Sequence, residues 1–78
     1  MNKVGRTIAR LRAIRGWSQS ELARQADLVP GHISMIESGD LQHPNLNTLE
    51  KLAAAFGIPS HELVRLINET EAEPPAAA

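Results

Sequence analysis

Two short helical segments with only three residues between them constrain this chain more than any other feature. Residues 18–26 and 30–38 flank Asp27-Leu28-Val29. Helices joined so closely must cross steeply, and a close crossing needs small side chains, which Ala23 and Ala26 supply. The first segment opens on Ser18-Gln19-Ser20-Glu21, the pattern in which the Ser18 hydroxyl and the Glu21 carboxylate satisfy each other's free backbone N–H groups. The second opens on Pro30, whose fixed φ suits a first helical position and whose missing N–H costs nothing there. Ile33 and Ile36 fall three apart and point inward, and Gly39 ends the segment.

Three further helices follow from the same signals. One runs from about residue 2 to residue 15, with Val4, Ile8 and Leu11 on one stripe and Gly16 beyond its end. A fourth starts after Asn45, a good N-cap, buries Leu46, Leu49, Leu52, Ala53 and Phe56, and stops at Gly57. A fifth opens at Pro59 and Ser60 and carries Leu63, Val64, Leu66 and Ile67, with Leu63 closing the core. No segment alternates with period two, so the expected fold is all-α. Residues 1–69 form one domain, and residues 70–78, charged and rich in Pro and Ala, form a tail expected to be disordered. With 78 residues and no cysteine, stability rests on helix packing or on a partner subunit. No stretch is apolar enough to span a membrane and no secretory h-region is present, which points to the cytoplasm.

Charge is divided along the chain. Residues 1–39 carry six basic against three acidic side chains, a net of +3, and residues 40–78 carry two against six, a net of −4. A basic half can face phosphate while an acidic half faces away. The single Trp and single Phe, with no Tyr, argue against a stacking platform for single strands. Trp17 is read as a packing residue. His61-Glu62-Leu63-Val64-Arg65 begins like a zinc-protease motif but places Arg65 where the second His is needed. His32 and His43 lack carboxylate or thiolate partners at ligand spacing, and nothing resembles a nucleophile elbow. The chain is therefore read as a non-enzyme with no metal and no cofactor. Its closely joined helices can project the second one outward, and a major groove admits one α-helix.

Arg12, Gly16, Ser18-Gln19, Glu21-Leu22-Ala23, Ile33-Ser34, Ile36-Glu37, Gly39, Pro44, Leu49 and Leu52 resemble the phage-repressor/Cro-type (XRE-like) helix-turn-helix family over roughly residues 6–66. The resemblance implies a five-helix, lambda-repressor-like domain, with the motif at helices 2 and 3. It implies a sequence-specific regulator of transcription, a repressor or controller protein, that binds a two-fold symmetric operator in double-stranded DNA as a homodimer. Carried over residue by residue, it places Pro30, Gly31, His32, Ser34 and Met35 at base edges. Ser18, Gln19, Ser38, Gln42, His43 and Asn45 fall at the DNA backbone, and Arg12 with Glu37 forms a structural ion pair, expected to be mostly buried.

The pattern is broken at three places. Asp27 stands where the family often has a left-handed Gly, a conformation Asp tolerates. Val29 stands at a capping position it cannot cap, and Pro30 and Gly31 replace side chains that often read bases, which leaves His32, Ser34 and Met35 as readers. Val64, Leu66 and Ile67 cannot all face one small core and are expected to supply a dimer contact. A second reading is an antitoxin that binds a protein partner, with DNA binding secondary. RNA polymerase and a toxin are the protein partners the two readings imply.

Overall fold

The computed structural model describes residues 3–70, and all of their regular structure is helical: α1 (Lys3–Arg15), α2 (Gln19–Ala26), α3 (Pro30–Ser38), α4 (Leu46–Phe56) and α5 (Ser60–Glu69). The caps explain the boundaries. Ser18 accepts a hydrogen bond from the Glu21 N–H at 3.0 Å, and Asn45 Oδ1 accepts one from the Thr48 N–H at 2.8 Å. α3 starts at Val29 with no side-chain cap and Pro30 in its first turn, as its sequence requires. Asp27 adopts the left-handed region at φ 56°, ending α2. Lys51 of α4 reaches this turn and donates to the Asp27 carbonyl at 3.3 Å.

One core joins the five helices. Ile8, Leu22, Ile33, Ile36, Leu52 and Leu63 are completely buried, and Ala23 and Ala26 let α2 approach its neighbours. Phe56 closes one side: its ring stacks on Trp17 at 6.0 Å, and the Arg15 guanidinium lies over both rings and donates to the Phe56 carbonyl. Trp17 is thus a packing residue, as expected.

Four sequence expectations are corrected. Leu46, the first residue of α4, is 64 % exposed and does not join the buried side of that helix. Glu21 does not complete the reciprocal cap: its carboxylate accepts from Arg24 and Gln25 on its own helix, and those bonds hold it below the usual carboxylate range. Ile67 is 8 % exposed and belongs to the core, because it follows Leu63 by four residues on one helix face. Thr70, assigned to the tail, closes α5: its hydroxyl donates to the Leu66 carbonyl at 2.8 Å and shares a 2.5 Å hydrogen bond with the buried Thr7 hydroxyl. The rest of the tail, residues 71–78, and the start of α1 at residue 2 lie outside the described residues.

Candidate nucleic-acid interface

α3 has an apolar inner face and an open outer one. Ile33, Ile36 and Glu37 are buried, while Pro30, Gly31, Ser34 and Met35 are exposed and His32 is half-buried. At nine residues it is about 13 Å long, and a helix about 10–12 Å across with its side chains matches a major groove about 12 Å wide. Gly31 faces open space, since a Cβ added there would meet nothing within 4 Å. Met35 is 49 % exposed, an apolar side chain with no inward role.

This face is held by a polar network at its base. Arg12 of α1 grips Glu37 of α3 in a two-pronged contact, Nε to Oε2 at 2.7 Å and Nη2 to Oε1 at 2.9 Å. Glu37 is 6 % exposed, and the Arg12 side chain 22 % exposed. The third guanidinium nitrogen donates to the Trp17 carbonyl at 2.8 Å, fixing the turn between α1 and α2. Gln19, in the first turn of α2, donates to Glu37 Oε1 at 3.1 Å. Arg12 is pushed above its usual pKa chiefly by its hydrogen bond to Glu37, so it stays charged. A single carboxylate therefore sets the relative placement of α1, the start of α2 and the end of α3.

The other expected backbone-contact residues have definite local roles. Ser38 donates to the Met35 carbonyl at 3.1 Å and accepts from the Asp40 N–H at 3.2 Å, shaping the exit from α3. Asn45 uses its side-chain oxygen as the α4 cap, which leaves its amide nitrogen to donate outward. Gln42 and His43 are exposed in the loop between α3 and α4. Of the expected dimer residues, Val64 is 39 % exposed and Leu66 half-buried, while Ile67 is inside.

Sequence reasoning missed Gly5. It lies inside α1 against the end of α3, where an added Cβ would stand 2.6 Å from the Ile36 carbonyl oxygen and 2.9 Å from that of Glu37. The signal available was a glycine within an otherwise regular helical pattern, which costs about 1 kcal/mol and needs a packing reason.

Among the described residues, no helix is long and apolar enough to cross a membrane, and no group of three His, Cys, Asp or Glu side chains is placed to hold a metal ion.

A helix-turn-helix family model matches residues 8–63. The chain is 34 % identical over 68 residues to the HTH-type transcriptional regulator SinR of Bacillus licheniformis, covering 87 % of this chain and 61 % of that protein. It is 38 % identical over 73 residues to the immunity repressor protein of Bacillus phage phi105, covering 90 % of this chain and 50 % of the repressor. A crystal structure of SinR, the master regulator for biofilm formation, in complex with DNA superposes with a TM-score of 0.72 at 33 % identity, covering 78 % of this chain and 97 % of that one. This chain thus spans about 61 % and 50 % of the length of those two relatives. The antitoxin reading finds no support among them.

Proposed function

Because the chain belongs to the phage-repressor/Cro-type helix-turn-helix family, we propose that it is a regulator of transcription that binds double-stranded DNA at specific sequences. The observation that carries this reading is the outer face of α3, open at Gly31, Ser34 and Met35 and fixed from beneath by the Arg12–Glu37–Gln19 network. His32, Ser34 and Met35 read base edges: His32 hydrogen-bonds a purine edge and Met35 packs on a thymine methyl. Pro30 and Gly31 let the start of α3 come close to the bases. Ser18 and Gln19 meet a phosphate at the start of α2, where free N–H groups and the helix dipole favour an anion. Ser38, Gln42, His43 and Asn45 grip the backbone on the far side.

The protein acts as a homodimer on a two-fold symmetric operator. The α3 helices of the two subunits enter successive major grooves about 34–36 Å apart. Val64 and Leu66 on α5 contribute to the subunit contact. Binding of chromosomal or phage DNA places it in the cytoplasm, and nothing in this role calls for catalysis.

An alanine scan separates the two kinds of contact. Alanine at His32, Ser34 or Met35 relaxes preference at individual base pairs by about 1–3 kcal/mol. Gln19→Ala weakens binding to operator and scrambled duplex by the same factor, because phosphate contacts carry no sequence information. Titrating each variant against single-base operator mutants by fluorescence anisotropy measures both effects. Unchanged base preference in all three α3 variants would remove α3 from the bases.

A further inference from the structure

We propose that His32 and His43 bring the positive charge to this interface, so that DNA binding takes up protons and strengthens as the pH falls. The proposal rests on the DNA-binding reading above and adds a form of regulation to it. Proteins ordinarily meet the phosphate rows of duplex DNA with lysine and arginine. From Gln25 through Glu50 this chain has neither, and that stretch contains the whole of α3, the loop after it and the start of α4. Its fixed charges are all acidic: Asp27, Glu37, Asp40 and Glu50.

Of the cations on the neighbouring elements, Lys3 is exposed at the start of α1, and Arg15 lies over the Trp17 and Phe56 rings. α1 and α2 pack on α3. From α1, Arg12 is held by Glu37 and Trp17, and Arg6 and Arg10 line a groove of about 300 Å³ with Glu69 of α5 and Thr70 just beyond it. From α2, Arg24 is paired with Glu21. Lys51 of α4 leans on Asp27, 3.7 Å from its carboxylate. Neither His32 nor His43 makes an ion pair among the described residues. His32 occupies the first turn of α3, where a protonated ring still donates to a purine acceptor and adds its charge beside the flanking phosphates, and His43 sits in the loop beyond the other end of α3.

The remaining contact groups, Ser18, Gln19, Ser34, Ser38, Gln42 and Asn45, are neutral. Histidine is the side chain that changes charge between pH 5 and 8. A neutral ring offers a phosphate one hydrogen bond. A protonated ring offers a hydrogen bond and a full charge, so a phosphate beside it favours proton uptake. Linkage then requires affinity to rise as the pH falls, by up to about tenfold per pH unit for each proton taken up.

The test measures binding of the 78-residue chain to its operator and to a scrambled duplex of the same length, across salt, near pH 6 and near pH 8. The expected result is at least a tenfold gain in affinity near pH 6 over that near pH 8 on both duplexes, an average uptake of about half a proton across the two pH units. The slope of log affinity against log salt should steepen by about one to two, at about 0.9 per phosphate neutralised. His32→Gln and His43→Gln should each remove about half of both effects. His61→Gln, on the exposed first turn of α5, should behave as the parent protein. Equal affinity and equal slope at the two pH values would overturn the proposal and leave DNA binding standing, as would full pH dependence in the double His variant. No binding at either pH would overturn the DNA-binding reading and this proposal with it.

Discussion

Arg12→Met lowers the unfolding free energy by about 3–5 kcal/mol, the cost of leaving a buried charge without its partner. The loss is a large share of the stability of a domain this small. Glu37 is 6 % exposed and would keep only the single hydrogen bond from Gln19. The Trp17 carbonyl would lose its bond from the guanidinium as well. Adding Glu37→Met restores most of the loss, since exchanging a buried ion pair for packed apolar side chains of similar size is often neutral. Urea denaturation of the four proteins in this cycle measures the coupling directly. If Arg12→Met cost less than about 1 kcal/mol, the pair would behave as a solvated surface contact and would not be what positions α3.

Gly5→Ala should destabilise the protein by about 1–3 kcal/mol, the usual cost of forcing an extra methyl into a packed contact. The added carbon would stand 2.6 Å from the Ile36 carbonyl oxygen, and that neighbour is backbone, so α1 must move away from α3. Moving it also pulls Arg12 away from Glu37. In an open helix the same substitution is favourable by about 0.5–1 kcal/mol, so its sign reports the close approach. Gly31→Ala is the built-in contrast: nothing lies within 4 Å of its Cβ, and the melting temperature should hold or rise slightly. A stabilised Gly5→Ala protein would mean that α1 and α3 do not approach closely enough to crowd an added Cβ against the Ile36 carbonyl oxygen.

These two positions show what the sequence could and could not disclose. The helices were legible because their ends are local chemistry: Ser18 and Asn45 cap, Pro30 starts, and Asp27 turns left-handed within a few residues of chain. Arg12 and Glu37 were legible only through family resemblance, since nothing local brings residues 25 apart in sequence together. Gly5 was missed because its role depends on the distance between two helix axes, which no periodicity encodes. The Arg15 guanidinium over Trp17 and Phe56, and Lys51 on the Asp27 turn, were missed for the same reason. At α5 the apolar count was right and the partition was wrong. The four-residue step from Leu63 to Ile67 puts both inside, so only Val64 and part of Leu66 remain for a partner. Glu21 departs from the expected cap because Arg24 and Gln25 lie within a helical turn and compete for its carboxylate.

The central claim is that α3 reads specific base pairs in duplex DNA. It is tested most directly by selecting binding sites from a random duplex library with the purified chain, at stated near-physiological salt and at neutral and mildly acidic pH. The account predicts a recovered motif with two-fold symmetry, its half-sites about one helical turn apart, whose strongest positions weaken in the His32, Ser34 and Met35 variants. A pool that stays random after repeated rounds, or that retains only salt-sensitive, sequence-neutral binding, would contradict it.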